Sequence, residues 1–319
     1  MIVAVNPTLT TDIDQACARL RSGLLVAIPT ETVYGLAADA CNLDAVQKVF
    51  KLKRRPASNP LIVHLADAAQ SDNWVKSVPV AAERLMKTFW PGPLTLVLPA
   101  ADHVSRVITA GQGSVALRVP SHPQARELLR RFGGGLVAPS ANRYMSISPT
   151  SAEHVARQFA GEDLLILDGG VCKVGLESTI VGLLPGEPPR LLRHGMIAVT
   201  ELEAVLGSKL VVGAHGGLRV PGQHHRHYAP HTPAWRFDTP PHDALADAAT
   251  AWLWCGGAIP SAGPALDLGA DPKAYARALY DALYQLDHLA AARLMIQTPP
   301  DSPAWAAVHD RLNRASQPL

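Results

Sequence analysis

The 319-residue sequence lacks the marks of secreted, zinc-bound and membrane-spanning proteins. Its four cysteines, Cys17, Cys41, Cys172 and Cys255, are scattered without a C-x-x-C spacing, so neither a disulfide framework nor a cysteine zinc site is indicated. The N-terminus has no basic region before an apolar core, and no stretch approaches the ~18 uninterrupted apolar residues of a membrane helix. These absences favour a reduced, cytoplasmic location.

Common nucleotide and hydrolase motifs are also missing. Neither a Walker loop, G-x-x-x-x-G-K, nor a G-x-G-x-x-G turn occurs, so any nucleotide site has to be built in another way. No G-x-S-x-G elbow supports a serine hydrolase. Aromatic residues make up only 5% of the chain, which leaves little material for stacking nucleic-acid bases. The net charge of +2 neither demands nor forbids an anionic partner.

The pattern of apolar residues predicts an α/β fold. With 48% hydrophobic residues, the chain is long enough for about two domains. Helical and strand periodicities alternate over residues 10–161, beginning with a helix at residues 10–22 that leads into the strand "LLVAIPT". Strands then cluster over residues 164–195. This order predicts a twisted, mixed sheet rather than a purely parallel one.

Residues 207–234 break this pattern, because they combine five glycines, three prolines and five histidines with little periodicity. Such a segment is typical of a linker, here between a domain at residues 1–206 and a domain at residues 235–319. Beyond the linker, two strand-like and two helical segments predict a small α/β domain.

Four linker histidines, His224, His225, His227 and His231, are in principle a ligand set for a divalent ion. No cysteine or acidic ligand stands beside them at the tight spacing that metal sites use. We therefore expect no metal centre in this segment.

Polar residues stand where several predicted strands end. Thr30 and Thr32 follow "LLVAIP", and residues two apart in an extended segment share a face, so both hydroxyls can point into one space. Ser140 and Asn142 repeat this arrangement after "LVAP". Open α/β sheets bind ligands at the carboxyl ends of their strands. A turn that caps the next segment explains the two threonines equally well.

A basic cluster, "KLKRRPASNP", follows the predicted helix "DAVQKVF". Arg55 fits a bidentate phosphate fork and Lys53 a mobile point charge. The alternative is a solvated helix end, where cations complement the helix dipole by ~0.3–1 kcal/mol. His64 and Arg118 lie within apolar strands; a lone histidine there is more often a core residue than a ligand. Arg118 would suit a substrate carboxylate if its strand borders a cleft.

Four further polar residues border predicted elements. Thr150 and Ser151 open a helix with Glu153 in its first turn, which suits either an anion or ordinary capping. Ser178 precedes a strand and Arg193 ends one. Each position is uninformative alone, but together they are more polar strand ends than a purely structural α/β protein needs.

Eight motifs in order resemble the YrdC-type L-threonylcarbamoyladenylate synthases. The motifs are "PTETVYGLAADA", "KRRPASNPLIVH", "WPGPLTLVL", "VALRVPSHP", "PSANRYMSISPTSAEHV", "DGGVCKVGLESTIV", "LLRHG" and "PGQHHRHYAP". The resemblance implies a YrdC-like mixed-sheet domain followed by a small Rossmann-like α/β domain. It implies a nucleotidyltransferase that forms threonylcarbamoyl-AMP and pyrophosphate from L-threonine, bicarbonate or CO2, and ATP, for threonylcarbamoyladenosine modification of tRNA.

The resemblance also implies partners and residue roles. Mg²⁺ accompanies the ATP, and a downstream tRNA threonylcarbamoyl transferase complex consumes the product. Lys53 and Arg55 supply catalytic charge near the phosphates. The residues around threonine would be Thr32, His64, Arg118, Ser140 and Ser178. The residues that hold ATP would be Arg55, Asn59, Ser114, Asn142, Thr150, Arg193 and Tyr228.

This sequence departs from its relatives in the linker. Val220, Gln223 and His224 replace a Ser, a Met and a Lys, and the loss of that Lys removes one phosphate or substrate contact. Tyr228 is retained, so we expect the linker to close over the site like a lid. The loop "SANRYMSIS" also replaces a more glycine-rich one, which changes its mobility.

The alternative function is a non-catalytic RNA-binding module. A basic cleft lined by Lys53, Arg54, Arg55 and Arg118 would hold a phosphate backbone without chemistry. The scarcity of aromatic residues counts against it, so RNA is expected at most as a weak contact of an enzyme.

Overall fold

A computed structural model describes residues 6–213, 218–222 and 226–319. Over this part of the chain, an eleven-stranded sheet has the order β1-β8-β2-β3-β7-β4-β6-β5-β9-β10-β11. Its strands are β1 (Thr8–Thr10), β2 (Val26–Ile28), β3 (Gly35–Asp39), β4 (Ile62–His64), β5 (Leu94–Pro99), β6 (Ser114–Arg118), β7 (Leu136–Val137), β8 (Leu165–Leu167), β9 (Thr179–Gly182), β10 (Arg190–Arg193) and β11 (Val211–Val212).

The predicted mixed character of this sheet is confirmed. β4 and β6 run parallel, with His64 opposite Arg118, whereas β5 and β6 run antiparallel. β2 and β3 also pair antiparallel, which turns the chain back directly after Thr30 and Thr32. The parallel pairing of β4 with β6 therefore brings two of the predicted site residues side by side.

Helices cover this sheet and position the loops between its strands. The helices are α1 (Ile13–Arg21), α2 (Leu43–Lys53), α3 (Val80–Phe89), α4 (Arg106–Thr109), α5 (Pro123–Phe132), α6 (Ala152–Gln158) and α7 (Val199–Leu206). The Asn42 side chain caps α2, and Arg54 ends it in the left-handed conformation with φ 54°. Ser151 caps α6 and accepts from His154 N at 3.3 Å. The C-terminal end of α2 lies against the loop that precedes α6, because the Tyr144 backbone N–H donates to Lys53 O at 2.8 Å.

A second sheet has five strands, all parallel, in the order β14-β13-β15-β12-β16. The strands are β12 (Ala234–Phe237), β13 (Thr250–Trp254), β14 (Ala265–Asp267), β15 (Arg293–Gln297) and β16 (Gln317–Pro318). The helices are α8 (His242–Leu245), α9 (Pro272–Asp287) and α10 (Ala306–Ala315). The predicted small α/β domain is therefore confirmed as one with a parallel sheet.

The two parts share a buried apolar interface. Val33, Ile147 and Leu176 pack in one cluster with side chains of α9 and α10. Polar contacts flank this cluster: the Tyr284 hydroxyl donates to Ile147 O at 2.8 Å, and the His154 ring stacks on Tyr284 at 4.0 Å. Thr150 Oγ1 lies 3.3 Å from Nδ1 of the same His154 ring. The small domain therefore lies against a loop that carries a predicted site residue. Among the described helices, none has the length and apolar character needed to cross a membrane.

Candidate functional site

A small cavity lies where the strand ends of the larger sheet meet the linker. Its volume is about 50 Å³. A water molecule occupies about 30 Å³ in the liquid, so the cavity has room for about one or two waters. Five lining residues were predicted to contact threonine and three to hold ATP. The lining consists of Thr30, Thr32, Val33, Gly35, Arg55, Ile62, His64, Arg118, Ala138, Pro139, Ser140, Glu177, Ser178, Arg193, Pro221, Gly222, His227 and Tyr228.

Thr30 and Thr32 have different tasks at the end of β2. The two hydroxyl oxygens lie 2.9 Å apart. Thr30 Oγ1 donates to Val33 O at 2.6 Å and accepts from the backbone N–H of Thr32 and Val33, each at 3.2 Å. Thr30 therefore holds the turn, as the capping alternative required, and Thr32 lines the cavity beside it.

Glu31 orients Arg118. Arg118 Nη2 lies 2.7 Å from Glu31 Oε1, and both side chains are buried. The second Glu31 oxygen accepts from the backbone N–H of Ser121 at 3.0 Å, while Arg118 Nε donates to Gly92 O at 3.3 Å. A guanidinium fixed on one edge offers its remaining nitrogen to a ligand at low entropic cost. Glu31, which stands between the two threonines, thus fixes the orientation of Arg118 on β6.

His64 lies buried at the end of β4, next to Arg118. Its Nδ1 forms no hydrogen bond to the residues that the structure describes. Burial, reinforced by the nearby Arg118 charge, lowers the pKa of His64 to about 3. The imidazole is therefore neutral at pH 7 and has a ring nitrogen available to a ligand in the cavity.

We predict that His64 makes the protein sensitive to mild acid. The unfolded chain binds a proton near pH 6.5, but the folded chain does not until about pH 3, so stability falls with pH between these values. The slope from this group is about 1.4 kcal/mol per pH unit. Denaturant unfolding from pH 7 to 5 measures it, and the His64→Gln variant should show a shallower slope.

The control for this prediction is His242→Gln, which replaces an exposed histidine on α8 and should retain the wild-type slope. Burial also lowers the pKa values of His122, His154 and His194, so some acid sensitivity will remain in the His64 variant. Equal slopes in wild type and His64→Gln would show that His64 is not the buried neutral group described.

Lys53 differs from the expected mobile charge. Its ammonium donates to the carbonyl oxygens of Ser140 and, at 2.6 Å, of Asn142, and its side chain is buried. Burial, with the nearby charges of Arg55 and Arg143, holds its pKa well below the ordinary value. The physical reason is the helix end: Arg54 turns outward in the left-handed conformation, and Lys53 turns inward under the Ser140 loop. Lys53 thus shapes the cavity wall rather than lining it.

Arg55 and Asn59 lie beside this loop. Arg55 lines the cavity, is buried, and donates from Nη2 to Pro60 O at 3.0 Å. Asn59 Nδ2 donates to the Tyr144 hydroxyl at 3.0 Å. The Tyr144 ring in turn meets the His227 ring of the linker at 6.2 Å, edge to face. The unusual "SANRYMSIS" loop therefore connects the basic cluster with the linker.

Four residues predicted to hold ATP, namely Asn59, Ser114, Asn142 and Thr150, are buried but absent from the lining formed by the described residues. Asn142 Nδ2 donates to Arg143 O and Ser146 O, both at 2.8 Å, and so supports its own loop. Thr150 Oγ1 lies 3.3 Å from His154 Nδ1 at the start of α6. Ser114 begins β6, four residues before Arg118, and lies at the other end of that strand.

Arg193 connects the start of β9 with the linker. Its Nε and Nη2 donate to Ser178 O and Ser178 Oγ, both at 3.0 Å, and its Nη1 donates to Pro221 O at 3.1 Å. Ser178 Oγ also lies 2.7 Å from Thr95 Oγ1. Ser178 and Arg193, which were assigned to threonine and to ATP respectively, therefore form one hydrogen-bonded unit on the linker side of the cavity.

Tyr228 brings the linker into the cavity wall. It is 1% exposed and has φ 59°, a left-handed conformation that is costly for a tyrosine. Its ring packs against His227 at 4.0 Å and Tyr280 at 5.8 Å. Burial, with the Glu177 carboxylate nearby, raises the pKa of the phenol to about 12. Val220, where the resemblance implied a serine, packs in an apolar cluster with Ile62, which lines the cavity.

Gln223, His224 and His225 lie outside the described residues. His227 contacts aromatic rings, and the His231 backbone N–H donates to Asp287 Oδ2 at 3.1 Å. Within the described ranges, no group of three or more His, Cys, Asp or Glu side chains is placed to hold a metal ion.

The sequence reasoning missed Glu31, Glu177 and Arg311. Glu177 lines the cavity, and Arg311 Nε, from α10 of the small domain, donates to Glu177 Oε2 at 2.7 Å. Glu31 and Glu177 both stand inside the quoted motifs, next to residues that were assigned a role. The available signal for both was a carboxylate directly beside a polar residue with an assigned role. Arg311 gave none, because it resembles any other polar residue of an amphipathic helix.

Comparisons with known proteins agree with this geometry. A family model for Sua5, YciO and YrdC, described as telomere recombination, matches residues 18–195. A second model, described as the C-terminal domain of threonylcarbamoyl-AMP synthase, matches residues 197–317. The threonylcarbamoyl-AMP synthase of Bacillus subtilis is 38% identical over 98% of this chain and 96% of its own length.

Relatives from Pyrococcus abyssi extend the likeness to structure. Its threonylcarbamoyl-AMP synthase is 47% identical over 67% of this chain, an alignment that spans 64% of that relative. A crystal structure of P. abyssi Sua5 complexed with L-threonine matches with a TM-score of 0.86 and 34% identity, covering 98% of this chain and 99% of that one. A double alanine variant of the same protein matches with a TM-score of 0.87.

Proposed function

We infer that this chain, which belongs to the threonylcarbamoyl-AMP synthase family, forms threonylcarbamoyl-AMP from L-threonine, bicarbonate or CO2, and ATP. The observation that carries this conclusion is the match, over nearly the whole of both chains, to a structure solved with L-threonine. The product serves the threonylcarbamoyladenosine modification of tRNA.

The proposed threonine site consists of Thr32, His64, Arg118, Ser140 and Ser178, all of which line the cavity. Arg118 would bind the carboxylate through the guanidinium edge that Glu31 leaves available. The neutral His64 and the hydroxyl groups would receive the amine and the side chain of the substrate. A site with hydroxyl partners favours a small hydroxylated amino acid over its apolar analogues.

The proposed ATP site extends from the threonine site toward the linker. Arg55, Arg193 and Tyr228 line the cavity on this side, and Asn59, Asn142, Thr150 and Ser114 support the surrounding loops. Arg55 would face the phosphates as the catalytic charge, while Lys53 would act through the loop that it holds. Mg²⁺ would arrive on the phosphates, since Glu177, the carboxylate of the cavity wall, is committed to Arg311.

The proposed reaction is a nucleotidyl transfer without a covalent enzyme intermediate. The threonine amine captures CO2 and loses a proton, the carbamate oxygen attacks the α-phosphate in line, and the bond to pyrophosphate breaks. The chain supplies orientation through Arg118 and positive charge through Arg55 and Arg193, which are preorganised by their hydrogen bonds.

The linker would act as a lid. The cavity is too small for ATP while Pro221, Gly222, His227 and Tyr228 line it. Nucleotide entry therefore requires these residues to move, and their return would exclude water from the reacting groups. In this arrangement residues 1–206 form the catalytic domain, residues 207–234 the lid and residues 235–319 the supporting domain.

A labile acyl-adenylate requires a protein that consumes it, and we propose a tRNA threonylcarbamoyl transferase complex in the cytoplasm for that step.

The RNA-binding alternative requires an open basic cleft. Of its four proposed residues, Lys53, Arg55 and Arg118 are buried and hydrogen-bonded, and only Arg54 is exposed. RNA contact, if it occurs, would involve other surfaces.

The proposed function predicts pyrophosphate release that depends on threonine. Purified protein is incubated with ATP, Mg²⁺ and bicarbonate, with and without L-threonine, and pyrophosphate and the adenylate product are followed together by mass spectrometry. We expect threonylcarbamoyl-AMP and pyrophosphate in equal amounts, and less than about a tenth of the rate with valine, which lacks the hydroxyl. ATP binding without either product would contradict the synthase and return attention to RNA binding.

A further inference from the structure

Arg311 is a cation of the small domain that lies fully buried beside the cavity. The residue is 0% exposed. It belongs to α10 and contacts Glu177, which lies more than 130 positions earlier in the chain. Its Nε donates to Glu177 Oε2 at 2.7 Å and its Nη2 to Glu177 O at 3.3 Å. Its Nη1 donates to His194 O at 2.9 Å and to Asp310 Oδ2 at 2.6 Å. Every nitrogen of the guanidinium is therefore used.

Glu177 needs this partner to remain charged. Burial alone would raise the pKa of Glu177, but Arg311 first and then Arg193, with hydrogen bonds from Ser148 and Arg311, hold it below its ordinary value. Ser148 Oγ donates at 2.6 Å and the Tyr280 hydroxyl at 3.0 Å. Two of these three donors, Tyr280 and Arg311, come from α9 and α10, so the small domain supplies most of the hydrogen bonds to a cavity-lining carboxylate.

Arg311 also supports Tyr228 from behind. The guanidinium carbon lies 5.4 Å from the centre of the Tyr228 ring, in cation–π contact. On the other side, Gly222 approaches so closely that a Cβ there would meet the Tyr228 hydroxyl at 2.4 Å. Tyr228 is therefore held between the small domain and the first part of the linker. This support accounts for a tyrosine that stays in a left-handed backbone conformation.

We propose that Arg311 is a positioning residue of the nucleotide site, through which the small domain sets the placement of Tyr228 and Glu177. The proposal rests on the proposed function, because Tyr228 is there assigned to ATP. Arg311 itself does not line the cavity formed by the described residues, so it acts through its two neighbours. A planar guanidinium is required, since one side chain must both bind a carboxylate and stack on a ring.

The test is a double-mutant cycle on ATP affinity, measured by titration calorimetry without threonine. Arg311→Lys keeps the charge and removes the fork, and it should weaken ATP binding by about tenfold. In a Tyr228→Ala background the same change should weaken ATP binding by less than about threefold, because the ring that Arg311 supports is gone. Arg293→Lys, which alters an ion-paired arginine elsewhere in the small domain, should leave ATP affinity unchanged.

The outcomes separate positioning from general stability and from the proposed function. If Arg311 only stabilises the fold, Arg311→Lys should weaken ATP binding by the same factor in both backgrounds, and this result would overturn the proposal. An effect below about twofold in Arg311→Lys alone would also overturn it. If Arg311→Lys does not fold, Tyr280→Phe replaces it: loss of the hydroxyl bound to Glu177 should weaken ATP binding by about threefold, and unchanged affinity would count against the proposal. Wild-type turnover, followed in parallel, tests the proposed function alone, because ATP affinity does not depend on product formation.

Discussion

Replacing Arg118 with methionine is expected to lower threonine affinity by about 100-fold, because the substrate carboxylate loses a charge-assisted hydrogen bond to the guanidinium. The same change leaves the buried Glu31 carboxylate without its cation and should reduce the free energy of unfolding by about 3–5 kcal/mol. Threonine titration by calorimetry and urea unfolding measure the two effects separately.

A second variant distinguishes binding from stability. In Glu31→Gln, Arg118 is retained, but the carboxylate that orients it becomes a neutral amide. We therefore expect threonine affinity to fall by about tenfold. The double variant Arg118→Met with Glu31→Gln removes both charges and should regain most of the stability, while threonine binding stays as weak as in Arg118→Met alone. If the double variant also regains affinity, Arg118 does not bind the substrate.

The regular elements of the larger domain were predictable because their patterns are local. The helix expected at residues 10–22 is present as α1, and the caps at Asn42 and Ser151 follow directly from their side chains. β13 was not predicted, although it is an inner strand of the parallel sheet. Its sequence, "TAWLW", is short and shows no alternation of apolar and polar residues, because the strand is buried on both faces.

The site was predictable only in part, for a related reason. Polar residues at strand ends stand out in an apolar chain, and this signal found Thr32, Arg118 and Ser178. The partners of these residues come from distant segments, as Glu31 does for Arg118 across 87 positions, and no local pattern encodes such a pairing. Lys53 illustrates the opposite error: the same basic run that suggests a phosphate grip also places one cation inward, as a support for backbone carbonyls.

Adding a single methyl group at Gly175 is expected to lower kcat/KM by about 100-fold, because it forces the two domains apart. A Cβ at Gly175 would lie 2.5 Å from Arg277 Cα and 2.6 Å from Arg277 O, and these backbone atoms of α9 cannot yield without moving the helix. α9 carries Tyr280, whose hydroxyl binds Glu177 in the cavity wall. The added methyl group therefore displaces part of the site without altering any residue that contacts substrate.

Gly186→Ala is the matched control for Gly175→Ala. Both glycines have positive φ, 82° at Gly175 and 75° at Gly186, so each alanine introduces a backbone strain of about 1–2 kcal/mol. Only Gly175 faces another domain, since a Cβ at Gly186 would meet nothing within 4 Å. Steady-state rates over a range of ATP concentrations at saturating threonine, which give kcat/KM for ATP, and thermal unfolding are compared for the two variants. A loss of stability in both with a loss of turnover only in Gly175→Ala would assign the effect to the domain interface; equal turnover in the two would mean that the catalytic domain works without the contact that α9 provides.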